Sequence, residues 1–345
     1  MRQFIYSLMT DKRKEPVFEP LKWLLYFASL LYGIGIWARC ILYKYGIFKR
    51  QKVPMNVVSV GNITLGGTGK TPFVIALAKI LKDELKKEVS VLIRGYGWDE
   101  QAMLRTSLPN IPILVGENRV KAARRTIKMN GSDTAILDDG FQYWELERDL
   151  DIVLIDSRNP FGNGQLFPRG VLREPKDSVK RADIIVFTKV NKARCDIDIV
   201  RESLRKIKDD IVFAEAIHKP KGLYEIRTKK ILDLTYTRGK KTILFSSIGD
   251  PEYFEETVKD LGANIIMHLK FPDHHNYSII DIEHIAKMCN EKNFDILLTT
   301  EKDAVKLNRL GLAIADYTVT VLSVEMEISA GRENIIAGLH SLYNN

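Results

Sequence analysis

Along the chain, short uninterrupted apolar runs alternate with longer stretches whose apolar positions recur at helical spacing. VVSV (57–60), VSVLI (89–93), TAIL (134–137), DIVLI (151–155) and DIIVF (183–187) have the composition of strands buried on both faces, as in a parallel sheet. The segment TPFVIALAKILKDELKK (71–87) between the first two reads as an amphipathic helix. This alternation predicts a doubly wound α/β domain over 53–217, with ligands at the carboxyl ends of its strands. At 218–240 the pattern gives way to HKPKGLYEIRTKKILDLTYTRGK, a charged, glycine-containing stretch that reads as a linker. A second, smaller α/β domain follows over 241–345. Its strands are expected near 242–246, 264–267, 295–299 and 317–323, and its helices at about 252–261 and 280–291.

The first 52 residues follow neither pattern. WLLYFASLLYGIGIWA (23–38) runs sixteen residues without a charge between Lys22 and Arg39, and Lys12, Arg13, Lys14, Lys44, Lys49, Arg50 and Lys52 flank it. As a helix it covers ~24 Å, short of the ~30 Å hydrocarbon core. It would lie in a membrane interface, or span if Arg39 snorkels and the helix continues through Ile41 and Leu42. Trp23, Tyr26 and Trp37 sit towards its ends, where interfacial aromatics anchor. The competing reading is a buried core helix. A cleaved signal peptide is disfavoured, because no small-x-small site follows and the basic stretch continues.

Composition narrows the class. A chain of 345 residues accommodates two domains and a short extra segment, and 45% hydrophobic residues suit a folded, largely non-membrane protein. Cys40, Cys195 and Cys289 are scattered and odd in number, which suggests neither a disulfide framework nor a zinc site and points to a reducing compartment. The net charge of +8 calls for an anionic partner: a membrane surface, a phosphorylated substrate or nucleic acid. No RNP, helix-turn-helix or zinc signature supports nucleic acid.

Between the first strand and the first helix lies Gly61-Asn62-Ile63-Thr64-Leu65-Gly66-Gly67-Thr68-Gly69-Lys70-Thr71-Pro72. Glycines let backbone N–H groups approach phosphate oxygens, and the helix N-terminus adds its dipole. Thr64, Leu65, Gly66, Gly67, Thr68, Gly69, Lys70 and Thr71 are therefore the predicted phosphate cradle of a P-loop NTPase-like domain. Within it, Lys70 would neutralise the outer phosphates and Thr71 would ligate Mg2+. Thr64 stands where a strict GxxxxGK[ST] pattern has its first glycine. Asp138 and Asp139 follow the run 134–137 and are the magnesium candidates. Thr188-Lys189-Val190-Asn191 resembles the TKxD element that reads guanine, but Asn191 cannot act as a charged double acceptor, so the segment reads as a strand-end turn.

With these residues goes a set of short motifs in fixed order: Arg94-Gly95-Tyr96-Gly97, Asp99-Glu100, Leu137 to Gln142 (LDDGFQ), Leu172-Arg173-Glu174-Pro175, Phe271-Pro272-Asp273-His274 and Thr299-Thr300-Glu301-Lys302-Asp303. Together with the glycine-rich loop they resemble the tetraacyldisaccharide 4′-kinase family, the lipid A 4′-kinases, over nearly the whole chain. The family's GDEP is Trp98-Asp99-Glu100-Gln101 here, and its DDGFQH ends in Tyr143. His275 beside His274 leaves two registers for the family histidine, and the preceding Phe-Pro-Asp selects His274.

The resemblance implies ATP- and Mg2+-dependent phosphorylation of the 4′-hydroxyl of an acylated glucosamine disaccharide 1-phosphate, giving lipid IVA. The setting it implies is the cytoplasmic face of a bacterial inner membrane, with an anionic membrane surface as further partner. It implies Asp99 as catalytic base, with His274 from the far side of the linker orienting it or tuning its pKa. Arg173 would hold phosphate oxygens with its planar fork, and Glu174 would position Arg173 or the metal. Arg94, Tyr96 and Arg119 would meet the substrate, its 1-phosphate first. A membrane-recruited P-loop ATPase or GTPase working through a protein partner shares the loop and the apolar segment, but has no use for an Asp99–His274 pair.

Overall fold

The computed structural model describes residues 2–13, 15–95, 97–310 and 317–344. Tyr96, one of the expected substrate contacts, lies outside them. After α1 (Arg2–Met9) comes α2 (Glu19–Lys44), the uncharged stretch lengthened at both ends. Next come β1 (Asn56–Asn62), α3 (Lys70–Lys79), β2 (Val89–Ile93), α4 (Trp98–Ser107), β3 (Ile113–Val115), α5 (Arg119–Asn130), β4 (Thr134–Asp138), β5 (Leu150–Asp156), β6 (Ile184–Thr188) and α6 (Ile197–Arg205). The chain continues with β7 (Val212–Glu225), β8 (Ile231–Leu232), β9 (Lys241–Ser246), α7 (Pro251–Asp260), β10 (Asn264–Lys270), α8 (Ile279–Asn290), β11 (Ile296–Thr300), α9 (Glu301–Leu310), β12 (Val319–Ala330) and α10 (Arg332–Ser341).

The chain divides into two compact units, Met1–Gly95 with Leu108–Ile217 and Glu327–Asn345, and Tyr96–Ser107 with His218–Met326. In the first unit the strand order is β7-β6-β5-β1-β4-β2-β3, every pair parallel, β7 taking part through Val212 to Ala216. Residues of β1, β2, β4, β5 and β6 are buried almost without exception, which is why they read as continuous apolar runs. The central position of β1 puts the loop after it at the carboxyl edge of the sheet, between the ends of β4 and β5.

α2 belongs to this unit but buries little of itself. Trp23, Leu24, Phe27, Leu31, Ile34 and Trp37 are exposed, Trp37 at 65%. It is tied to the rest of the unit by Tyr32, whose hydroxyl donates to the Arg173 carbonyl at 2.9 Å, and by Arg39, which donates to the Gln142 carbonyl at 2.9 Å. A core helix would bury its apolar positions, so that reading fails. The helix is long and apolar enough to cross a bilayer.

In the second unit the order is β10-β9-β11-β12, again parallel, with β7 and β8 forming an antiparallel pair through Leu223 and Leu232. Asp250 caps α7, and a reciprocal capping box between Ser278 and Asp281 starts α8. Two features depart from the expectation. The stretch 218–240 holds the second part of β7 and β8: Lys219 and Lys221, two apart, are exposed on one face of the strand, while His218, Pro220 and Gly222, which alternate with them, are half-buried. Moreover α4, with Asp99, groups with the second unit, where it packs on α9.

Candidate active site

The glycine-rich loop turns sharply between β1 and α3, with Gly66 at φ 117° and Gly69 at φ 85°, values that favour glycine. Asn62, fully buried at the end of β1, ties the loop to itself by donating to the Thr64 carbonyl at 2.8 Å and the Thr68 hydroxyl at 3.1 Å. The segment 171–173 braces the outer side, the Leu65 N–H donating to Val171 O at 2.7 Å and the Arg173 N–H to Ile63 O at 2.8 Å. Thr188 donates to the Thr68 carbonyl at 2.9 Å, so the end of β6 supports the loop from beneath. Lys189, left-handed at φ 57°, is ion-paired to Asp156, consistent with a strand-end turn. The result is a rigid cradle whose exposed part is Leu65, Gly66 and Gly67.

Gly61 and Gly140 make the neighbouring strand ends fit. A Cβ on Gly61 would stand 2.6 Å from Phe141 Cβ, and one on Gly140 would stand 2.7 Å from Leu137 and from Ser59. Close passage of these backbones places Asp138 and Asp139 beside the cradle. Asp139, at φ 55°, accepts a bidentate pair of hydrogen bonds from Arg173, at 2.7 and 3.2 Å, and lies 3.7 Å from Lys70 Nζ. Burial pushes the Asp139 carboxyl up, but Lys70 and Arg173 outweigh it and bring it down to about 2. Arg173 also donates to the Asn62 side-chain oxygen at 3.2 Å. Three predicted residues, Lys70, Asp139 and Arg173, therefore meet at one point, and two cations there outnumber the carboxylate.

Of the remaining predicted residues in this unit, Thr71 is buried in the first turn of α3, and Asp138 is buried in register with Val60. Among the described residues no group of three or more His, Cys, Asp and Glu gathers to hold a metal. A hydroxyl and a carboxylate beside a phosphate cradle nonetheless suit magnesium, which keeps water and phosphate oxygens in its shell. Glu174 is buried and engaged by Arg181 at 2.8 Å. Arg119 is buried against Tyr143, its guanidinium 4.5 Å from the ring centre and its N–H donating to the Tyr143 hydroxyl at 3.1 Å. Tyr143, where the family pattern has histidine, thus fixes the start of α5. Arg94 is exposed just beyond β2.

The second unit holds the other predicted pair. His274 Nδ1 lies 3.1 and 3.3 Å from the two oxygens of Asp99. The Asp99 side chain is 2% exposed and the His274 side chain 45%, so the carboxylate is sealed while the imidazole has an outward edge. Trp98 Nε1 donates to Asn276 at 2.9 Å, locking the start of α4 to the turn that carries His274. Gly97 has φ 76°, a conformation strained for any other residue, and a Cβ there would crowd Asp99 Oδ1 at 3.0 Å. Lys302 and Lys306, one turn apart on α9, approach Asp99 Oδ2 at 3.6 and 3.4 Å. Burial raises the Asp99 pKa, yet His274 and the two lysines hold it well below the usual carboxylate range. His274 moves the other way, its pKa raised by the hydrogen bond to Asp99 against the effect of burial. The sequence reading assigned the lysines no role; their spacing of four on a helix was the available signal.

Two clusters in one chain, a phosphate cradle and a histidine–carboxylate pair, are the equipment of phosphoryl transfer to a hydroxyl. The family model for tetraacyldisaccharide-1-P 4′-kinase (LpxK) matches residues 21–98 and 98–341. The chain belongs to this family. The tetraacyldisaccharide 4′-kinase of Syntrophus aciditrophicus is 37% identical over 343 residues, covering 90% of each chain. That of Halothermothrix orenii is 37% identical, covering 89% of this chain and 90% of its own. LpxK from Aquifex aeolicus, solved in complex with ATP, superposes with a TM-score of 0.73 at 28% identity, covering 94% of this chain and 99% of that one. The matches span both clusters, so membership of the LpxK family accounts for the second unit as well as for the P-loop.

Proposed function

We propose that the chain transfers the γ-phosphate of ATP to the 4′-hydroxyl of a tetraacylated glucosamine disaccharide 1-phosphate, giving lipid IVA. The observation that carries this reading is the meeting of Lys70, Arg173 and Asp139 at the mouth of a braced P-loop, in a chain whose family match runs from 21 to 341. The backbone of 64–71 takes the phosphates, and Lys70 and Arg173 neutralise charge on the transferring group. Asp139, whose two oxygens are engaged by Arg173, aims that guanidinium, and Asp138 with the Thr71 hydroxyl is the set that would hold Mg2+. Magnesium there supplies Lewis-acid neutralisation of phosphate oxygens. Glu174 acts through Arg181, and of the two arginines expected at the anionic 1-phosphate the exposed Arg94 is assigned to it, Arg119 being buried against Tyr143.

The Asp99–His274 pair receives the hydroxyl proton. Residues 53–217 thus serve as the nucleotide-binding part, and residues 241–345 supply His274 and the lysines around Asp99. Incubation of the protein with ATP, Mg2+ and the lipid acceptor should give, by mass spectrometry, the acceptor plus one phosphate. Asp138→Asn should raise the magnesium concentration needed for half-maximal rate. ATP hydrolysis without phosphorylated lipid would return the chain to a partner-driven ATPase.

The site of action is proposed to be the cytoplasmic face of a bacterial inner membrane. α2 is about 39 Å long, and its bare apolar side and the flanking cations Arg13, Lys44, Lys49, Arg50 and Lys52 suit a bilayer with anionic headgroups. Each large apolar side chain moved from water into lipid contributes about 1.5–3 kcal/mol. The full chain should therefore co-sediment with vesicles, more strongly with anionic than neutral lipid. Leu24→Ser, Phe27→Ser and Leu31→Ser together should release it to the supernatant, and retention of that variant would remove α2 as the anchor.

A further inference from the structure

Behind Asp99 lies a second buried carboxylate with a lysine between them. Lys306 is 1% exposed and Asp303 0%. Lys306 Nζ stands 3.4 Å from Asp99 Oδ2, donates to the Ser247 hydroxyl at 2.6 Å and reaches the Ser247 carbonyl at 3.3 Å. Asp303 accepts from the Ser247 hydroxyl and from three further donors: the Ser247 N–H at 3.1 Å, the Tyr277 hydroxyl at 3.1 Å and the Thr300 hydroxyl at 2.7 Å. Ser247 has one hydroxyl proton, and an ammonium can only donate. The direction of every bond is therefore fixed: Lys306 donates to Ser247, Ser247 to Asp303, and the lysine's remaining capacity faces Asp99.

The same logic reaches the imidazole. Asp99 as a carboxylate only accepts, so His274 Nδ1 must carry a hydrogen and the lone pair of the neutral ring sits on Nε2, at the edge turned away from Asp99. The groups facing that edge are Lys302 at 3.5 Å, Asp273 at 3.7 Å and Glu100 at 3.8 Å. A lysine buried this deeply is a poor way to gain stability, since a well-packed apolar residue does as well without the desolvation cost. Its presence asks for another explanation.

We propose that Lys306, anchored by Ser247 and Asp303, is a positioning residue of the kinase reaction: it keeps Asp99 ionised and aimed at His274 Nδ1, so that Nε2 takes the hydroxyl proton. This rests on the phosphoryl-transfer reading above. The acceptor O–H proton passes to Nε2, the oxygen forms a bond to the γ-phosphorus, and the bond from that phosphorus to the bridging oxygen breaks with its electron pair leaving on ADP. The imidazolium then returns its proton to water. Burial, with Lys302 close by, leaves the Lys306 pKa lowered although Asp303 and Asp99 oppose this, whereas Lys302, with Asp273, Asp99 and Glu100 around it, is raised overall despite burial.

The test is the pH dependence of kcat for the full chain with lipid acceptor, ATP and Mg2+. Lys306→Met should lower kcat on the order of a hundredfold through misplacement of the pair, with little change in KM for ATP. Its acid limb should also move to higher pH, because loss of a nearby positive charge eases protonation of His274. A merely structural lysine would lower the melting temperature and leave the limb in place. Should Lys306→Met fail to fold, nitrogen NMR of histidine-labelled native protein decides: hydrogen on Nδ1 of neutral His274 is expected, and hydrogen on Nε2 overturns the proposal. Asp99→Asn is the control for the underlying reading. Full turnover in that variant would sink the Asp99–His274 assignment, whereas an inactive Asp99→Asn beside a folded Lys306→Met with wild-type kcat and limb would overturn the role of Lys306 alone.

Discussion

Lys70→Ala is expected to reduce kcat on the order of 10²–10³-fold, the usual effect of deleting one preorganised charge from a transition state that spreads negative charge over several oxygens. The ammonium begins α3, 3.7 Å from Asp139, and is held at the cradle before any nucleotide arrives. Little reorganisation is needed when phosphate replaces the carboxylate as its partner. The fold should tolerate the change, because Lys70 is partly exposed at a helix start and alanine is the best helix former. The loop's bracing by Asn62, Thr188 and the 171–173 segment does not involve the lysine side chain. One electrostatic consequence is predictable in sign. Asp139 owes its depressed pKa first to Lys70 and then to Arg173, and a carboxylate depressed in the folded state adds stability that is lost as pH falls through the folded value. Without Lys70 that value rises from about 2 towards the ordinary one, so the variant should lose part of this contribution at neutral pH, and its difference from wild type should fade as pH falls through about 2. Steady-state kinetics beside circular dichroism checks this, and near wild-type turnover would remove Lys70 from the site.

How much of this was open to sequence reading depends on how local the cause is. The cradle was legible because its chemistry is contiguous: glycines for the turn, lysine and threonine at the helix start, and an apolar run before them. Asp138 and Asp139 were legible because strand ends in a parallel sheet share an edge. What supports those residues was not. Thr188 reaches the loop across 120 residues of chain and Arg173 reaches Asp139 across 34, and nothing in either local pattern indicates a target. The stretch 218–240 reads as a linker by its charge density alone, yet its exposed Lys219 and Lys221 alternate with half-buried positions along one strand. Asp99 was assigned to the first domain by its place in the chain, yet the packing of α4 on α9 gathers it with Lys302, Lys306 and His274. The family motifs named Asp99 and His274, but only the fold shows which of them is sealed and which faces outward.

Asp99→Asn and His274→Ala are each expected to lower kcat on the order of 10²–10⁴-fold, the range of general acid–base catalysis, while KM for ATP stays close to wild type. Neither side chain belongs to the cradle. The double variant should be scarcely slower than the slower single one, because a histidine without its carboxylate and a carboxylate without its histidine have lost the same function. The pH profile tells the members apart. The Asp99 hydrogen bond raises the His274 pKa from the ordinary 6.5, and a base must be neutral to accept a proton. The wild-type kcat should therefore climb with pH along a limb centred above 6.5. In Asp99→Asn the carboxylate charge that favours imidazolium is gone, so the residual activity should climb along a limb displaced to lower pH, opposite in direction to the shift expected for Lys306→Met. If losses in the two single variants simply multiplied in the double one, the residues would be acting independently. An unmoved limb in Asp99→Asn would mean that the titrating base is some group other than His274.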